Sequence, residues 1–570
     1  MRKSVVIIIS VVSLLAFACN LTDSGADLVL LNGKVVTMDK QTPRAHGLAV
    51  RGDRILAVGD SAGLVRYITP QTKVIDLKGR LVIPGFIESH AHFMSLGYSK
   101  MRLDLGQSKT WQELVDMVKE AVAKAEPGEW ILGRGWHQEK WHPAPKNLVD
   151  GYPVHEQLSR VSPENPLLLT HASGHAVLAN ALAMRLAGID KRTIDVPGGR
   201  IVRDKGGNAT GIFLENAEAP LWAAYERYKQ QSSANSERKS IVRAFRLATQ
   251  ECLSNGITSF HDAGEPFDII DFFKKMADTN KLFVRLWVMI GETNEALKQK
   301  IKQYRLIGYG NNFLTVRAIK RYMDGALGAR GAWMLQPYND DPSTSGLNTT
   351  SLEALEETAR IAAENDFQLC MHAIGDRANR ETLDLYRRTM QKIPEKKDWR
   401  WRIEHAQHLT AQDIPRFARL GVIAAMQGIH CTSDGPWVIK RIGKKRAEKG
   451  AYVWQKLWQS GALVCNGTDA PVERLDPIAN YYALVTRRLS DGRRFFREQC
   501  LSREQALQAY TINGAYAAFE EDIKGSLTPG KLADITVLSR DILTVPEEEI
   551  LKTRVDMTIV GGKIMYKRNP

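Results

Sequence analysis

Eight short apolar runs recur between Gly85 and Asp469, separated by stretches of helical periodicity, and this alternation restricts the fold more than any other feature of the chain. The runs are Gly85 to His92, Thr258 to His261, Phe283 to Met289, Leu314 to Lys320, Gln368 to His372, Arg402 to His405, Val422 to Gln427 and Leu463 to Asp469. Parallel strands need a long crossover between them, and a helix supplies it. Eight strands alternating with helices predict an α/β fold, a (β/α)8 TIM barrel, whose active site lies at the C-terminal strand ends. An open doubly wound sheet shares the alternation and is the alternative.

At 570 residues the chain is too long for one ordinary domain. From Asp27 to Ile83 the pattern shifts to short apolar runs and turns: Leu28 to Leu31, Asn32-Gly33, Val35 to Met38, Leu48 to Val50 and Ile55 to Val58. Asn-Gly between apolar runs predicts a hairpin. The C-terminus repeats the style with Ile535 to Leu538, Met557 to Val560, Gly561-Gly562 and Ile564 to Tyr566. Isolated hairpins bury too little surface to persist. The two ends, residues 19–83 and 525–570, are therefore expected to form one small composite β-sandwich around a barrel domain of residues 84–524. Residues from about 95 to 235 exceed any βα loop and carry helical patterns of their own, such as Trp111 to Ala125, which predicts an inserted α/β lid over the barrel mouth.

Arg2 and Lys3 precede an apolar stretch from Val5 to Phe17, the pattern of a secretion signal over residues 1–18 and too short to span a bilayer. Ala16-Phe17-Ala18 fits ordinary signal cleavage, and Cys19 stands where a bacterial lipoprotein carries its lipid. Both routes cut before Cys19 and give an exported protein, periplasmic or attached to the membrane through lipidated Cys19. The other cysteines, Cys252, Cys370, Cys431, Cys465 and Cys500, are odd in number and without CxxC spacing, so neither a disulfide framework nor a zinc ribbon follows. The net charge of +14 is compatible with acidic partners. Its densest cluster, Lys440, Arg441, Lys444, Lys445, Arg446 and Lys449, lacks the interleaved aromatics of a single-strand binding track and reads as solvated surface, with no nucleic-acid partner.

His90 and His92 end the first run two residues apart, and on a strand such positions share a face. Alone the HxH spacing is weak, because paired surface or core histidines are commoner than metal sites. Weight comes from Lys320, His372, His405 and Asp469, each of which ends a run of its own. A barrel directs all of those strand ends towards one axial space. A metal site of His90, His92, Lys320, His372, His405 and Asp469 is the prediction.

The segments PGFIESHAH (84–92), GRGW (133–136), SGHAVLAN (173–180), IKRYMDGALGARGAW (319–333), HAIGDRAN (372–379), RIEHAQ (402–407) and GTDAPVERLDP (467–477) carry a resemblance to the amidohydrolase superfamily. Specifically, the chain resembles the YtcJ-like proteins of amidohydrolase family 3, which include N-substituted formamide deformylases. The resemblance implies a barrel with a composite β-sandwich. It implies that His90 and His92 are first-strand ligands, Lys320 the fourth-strand lysine whose carboxylated form bridges two metals, His372 and His405 the ligands of strands five and six, and Asp469 the eighth-strand aspartate. At the seventh strand Gln427-Gly428-Ile429-His430 departs from a proline-containing QPxH pattern.

The implied cofactor is a divalent metal, one or two ions, with zinc the first choice for mixed nitrogen and oxygen donors. A lysine ammonium is a poor neighbour for a cation, whereas its carbamate is an anionic oxygen donor. A bound ion lowers the pKa of water from about 15.7 to about 7, and Asp469 would take the proton and pass it to a leaving amine. The implied reaction is hydrolysis of a non-peptide C–N bond in a small amide-type substrate: amide, N-formyl compound or cyclic amide. A deaminase or cyclic amidase of the same superfamily shares this machinery, and a non-catalytic metal- or ligand-binding lipoprotein is disfavoured by the presence of all six groups. Trp136, His175, Asp376 and Arg377 lie in matched motifs as candidate substrate contacts. Their structural alternatives are packing for Trp136, a helix cap for His175 and a local ion pair for Asp376 with Arg377; Arg377, if free, suits a substrate carboxylate.

Overall fold

A computed structural model describes residues 25–569 apart from 139–140, 144, 172–175, 197–198, 232–233, 329 and the side chains of 231 and 234–237. The signal segment, Cys19 and His175 lie outside the described residues.

Eight parallel strands occupy the centre: β1 (Phe86–Ala91), β2 (Ile257–Glu265), β3 (Arg285–Ile290), β4 (Leu314–Tyr322), β5 (Gln368–Ala373), β6 (Arg402–His405), β7 (Ile423–Gln427) and β8 (Val464–Gly467). All eight apolar runs are strands. β2 runs on to Glu265, past the point where His261-Asp262 interrupts the apolar pattern, because both polar side chains are buried with partners: His261 Nδ1 lies 3.0 Å from Arg402 Nη1, and Asp262 accepts from Phe93 N at 3.0 Å. β3 is buried at every position, as a parallel strand covered on both faces must be. The strands neighbour one another in chain order without reversal. A doubly wound sheet reverses at its switch point, so the open-sheet alternative fails.

The barrel nearly closes between β8 and β1, where side chains do much of the joining. Glu88 accepts hydrogen bonds from Thr468 N (2.7 Å) and Thr468 Oγ1 (3.0 Å). Just beyond the strand ends, Asp469 N donates to His90 O and His92 N donates to Ala470 O, both at 2.8 Å. Gly467 permits this approach: a Cβ there would sit 2.3 Å from Glu88 Oε1 and 2.5 Å from His90 N. The seam thus fixes Asp469 against the HxH segment.

Two further sheets draw on both chain ends. One has the order 54–59, 47–51, 28–31, 73–76; the other has the order 563–567, 555–560, 535–538, 81–84, 34–36, 44–45. Leu28, Leu48 and Ile55 of the first share an apolar cluster with Val82, Val537 and Ile559 of the second. Gly561-Gly562 turns a hairpin between Val555–Val560 and Lys563–Lys567, both glycines at positive φ. Asn32-Gly33 does not. Leu28–Leu31 pairs with strands of the first sheet and Lys34–Val36 with strands of the second. The dipeptide carries the chain from one sheet to the other, with Asn32 N on Ser61 Oγ (2.9 Å) and Gly33 N on His46 O (2.8 Å). Local turn chemistry is the same in both cases; the sheets on either side decide. Arg285 of β3 ties the barrel to this unit through a two-pronged bond to Asp534 (2.7 and 3.0 Å).

Between β1 and β2 a separate six-stranded sheet, order 199–203, 209–215, 176–179, 167–171, 131–136, 103–104, forms with its own apolar clusters.

Candidate metal centre

His90 lies in β1, and His92 follows it as the residue capping helix Phe93–Lys100. Their Nε2 atoms approach one oxygen, Asp469 Oδ1, at 3.6 and 3.2 Å. Asp469 lies two residues past β8 at φ +60°, and His405 ends β6 at φ +74°. Such backbone costs a non-glycine residue on the order of 1–3 kcal/mol, and it concentrates where function demands a set direction. Lys320, on β4 and 2% exposed, places Nζ 3.4 Å from His90 Nε2. The His405 ring is 4.8 Å from that of His90 and 4.4 Å from that of His372 on β5. The six side chains predicted from scattered strand ends therefore stand around one space at the C-terminal end of the barrel.

The donor set fits a divalent cation. Ligand atoms of His90, His92 and Asp469 all lie within 4.8 Å of one another, and so do those of His405, His430 and Asp469. Buried His372 Nε2 and His430 Nε2 have no hydrogen-bond partner among the described residues, an expensive state for a buried polar atom. Burial, reinforced by the Lys320 charge, lowers the imidazole of His90 to about 4 and that of His372 to about 3. Both are then neutral at pH 7, the form that binds metal. Burial opposes the charge on Asp469, yet His92, His405, His90 and His430 hold its carboxyl well below the usual range. Burial also lowers the Lys320 amine.

The back of each ring is held in turn. His90 Nδ1 contacts Glu404 Oε2, and His405 Nδ1 lies 2.7 Å from Gln427 Oε1, whose amide donates to Ala425 O at 3.1 Å. In both rings Nδ1 has a partner behind the central space, as the ring of a metal-binding histidine does. Asp324 accepts from Trp333 N, Gly375 N and Ile374 N at 2.8–2.9 Å, and its Oδ1 lies 3.7 Å from His372 Nε2. It ties Trp333 to the residues that follow β5. Tyr322, two residues after Lys320 and 45% exposed, presents its ring 5.0 Å from Lys320 Nζ and 5.3 Å from the His372 ring.

Three of the remaining sequence candidates have partners of their own. Trp136 is fully buried inside the inserted sheet, donating to Leu169 O at 2.6 Å and stacking on Trp141. Asp376 begins helix Asp376–Gln391 and accepts from Leu335 N at 2.8 Å. Arg377 does not pair with it. Its guanidinium lies over the Trp333 ring at 4.3 Å and 3.9 Å from Glu381. Conversely, sequence reasoning passed over His430 and Glu404. His430 lies on helix Gly428–Ile442, its ring stacked 6.1 Å from that of His405 and its Nε2 3.9 Å from Asp469 Oδ2. The available signal was the Gln427-Gly428-Ile429-His430 stretch itself, which lacks the proline but keeps a histidine just past the end of β7.

The sequence model of the Amidohydrolase family matches residues 73–566. The chain belongs to that family. It is 30% identical to "Putative amidohydrolase YtcJ" of Bacillus subtilis over 94% of this chain and 99% of the relative. It is 26% identical to "N-substituted formamide deformylase" of Arthrobacter pascens over 95% of this chain and 98% of the relative. Among solved structures it is similar to an uncharacterized metal-dependent hydrolase from Pyrococcus furiosus, with TM-score 0.70 and 27% identity over 91% of this chain and 100% of that one. The resemblance drawn from the seven motifs and the family match agree.

Proposed function

We propose that this amidohydrolase is a metal-dependent enzyme that hydrolyses a non-peptide C–N bond in a small amide, N-formyl or cyclic amide substrate. The observation that carries the reading is the convergence of His90, His92, Lys320, His372, His405 and Asp469 on one space, with His90, His372 and His405 held towards the neutral imidazole and Asp469 towards the carboxylate. When bound, a divalent ion, zinc by donor type, supplies a Lewis acid for the substrate carbonyl and acidifies the attacking water. Asp469 accepts the proton of that water and returns it to the leaving amine. Burial favours the neutral amine of Lys320, which would add carbon dioxide with loss of a proton, and the resulting carbamate would supply an anionic oxygen donor for a second cation. The His92 side chain, 26% exposed, faces the approach of substrate. The similarity to the N-substituted formamide deformylase of Arthrobacter pascens favours the formamide class.

In this reading residues 84–524 are the catalytic barrel, the insertion at about 95–235 is its cover, and residues 19–83 with 525–570 form the sandwich. Among the described residues no helix is long and apolar enough to cross a membrane. Export through the 1–18 signal, with Cys19 as the lipid attachment point, rests on Arg2, Lys3 and the apolar run that follows.

The test is to purify the chain from Cys19 onward, measure its metal content, and assay N-formyl and N-acyl compounds for amine release and cyclic amides for ring opening. One or two ions per chain and turnover on at least one class are expected. A protein that holds zinc and binds these compounds without hydrolysing any of them is a binder, and the proposal fails.

A further inference from the structure

Beneath the candidate ligands the barrel carries a polar layer that the proposed chemistry does not use. Arg402 and Glu404 lie two residues apart on β6, so they share a face, and both side chains are 0% exposed. Arg402 Nε donates to Glu404 Oε1 at 2.8 Å and Nη2 to Glu404 Oε2 at 2.9 Å. The rest of the guanidinium is also fixed: Nη2 donates to Ser89 O at 2.6 Å, and Nη1 lies 3.0 Å from His261 Nδ1. Glu404 Oε2 in turn contacts His90 Nδ1. A buried ion pair is weak support for a fold, since apolar residues of similar volume often serve as well or better. Its position behind His90 gives it a use.

A carboxylate locked between a guanidinium and an imidazole only accepts. His90 must then carry its proton on Nδ1, which leaves the Nε2 lone pair turned to the space where Asp469 Oδ1 stands at 3.6 Å and Lys320 Nζ at 3.4 Å. Released from Glu404, the ring is free to place its proton on Nε2 and donate to Asp469, which removes a ligand. We propose that Arg402 and Glu404 are positioning residues that set the tautomer and ring plane of His90 for a cation, with β6 delivering both this clamp and the next side chain, His405. The inference rests on the metal-site reading above.

The experiment uses the chain from Cys19 onward. In the metal-free wild type, nitrogen NMR of 15N-histidine-labelled protein reports the His90 tautomer, assigned by loss of its signals in His90→Gln. The proton is expected on Nδ1, and a proton on Nε2 overturns the inference. Zinc affinity is then measured by chelator competition for Glu404→Gln, whose amide turns an N–H towards His90 once Arg402 captures its oxygen. The expected loss is about 10–100-fold, the usual effect of removing such a partner. If Glu404→Gln fails to fold around an uncompensated Arg402, the double variant R402M/E404L, which buries no lone charge and leaves His90 Nδ1 without an acceptor, carries the same measurement. A folded variant that keeps wild-type zinc affinity within twofold overturns the inference. A wild type that binds no zinc sinks the metal reading instead, and the tautomer measurement still decides the role of the pair.

Discussion

Asp469→Asn isolates the charge at the centre with the least disturbance of the fold. Asparagine tolerates the φ of +60° that Asp469 adopts, and the backbone bond from residue 469 N to His90 O (2.8 Å) needs no side chain. What changes is the carboxylate that stands 3.2 Å from His92 Nε2, 3.6 Å from His90 Nε2 and 3.9 Å from His430 Nε2. An amide oxygen still donates a lone pair to a cation, with five other ligands left, so metal content should stay above half of wild type. It does not take up a proton at neutral pH. General acid–base groups contribute about 10²–10⁴-fold, or about 3–5 kcal/mol of barrier. The variant should therefore lose at least about 100-fold in kcat with KM little changed, because the group acts on the water and the leaving amine rather than in holding substrate. Steady-state kinetics on the best substrate of the amide panel, with metal analysis of the same preparation, reads both. A metal-loaded variant with kcat within about threefold of wild type would refute the proton-carrying role, since that deficit is far below the range of acid–base catalysis.

Two predictions concern the scaffold. Burial pushes Glu88 up to about 8 from 4.5, against the hydrogen bonds from Thr468 and His90 that lower it. As pH rises from about 4.5 to about 8 the unfolded chain gives up this proton while the folded one keeps it, so stability falls across that window. Glu88→Gln keeps acceptors for Thr468 N and His90 N and should flatten this slope; urea unfolding of the metal-free protein at pH 5 and pH 8 checks it, and an unchanged slope counts against a protonated Glu88. Arg285→Met leaves Asp534, 5% exposed, without its two-pronged partner. Breaking a buried pair on one side costs about 3–5 kcal/mol, so the denaturant midpoint should fall while the activity of the protein that remains folded stays unchanged; a midpoint equal to wild type would show that the barrel and the terminal sheets do not depend on this tie.

How much of this was legible in the sequence depended on whether the deciding physics was local. Apolar runs that end in His90, Lys320, His372, His405 and Asp469 announce both a strand and its chemistry, because a parallel barrel buries the run and turns its last residue into the axial space. Periodicity cannot mark His430, which reaches Asp469 from the first turn of a helix, nor Glu404, whose contact with His90 spans 314 residues. Asn32-Gly33 misled for the same reason: its turn chemistry is local, but pairing partners from 73–76 and 81–84 separate the strands on either side into different sheets. Trp136 packs in the inserted sheet with Nε1 on Leu169 O, and no periodic signal in the sequence separates such packing from a substrate contact. The centre was readable because its side chains are the ends of strands, whereas the groups that aim them come from positions the chain brings together only once the barrel has closed.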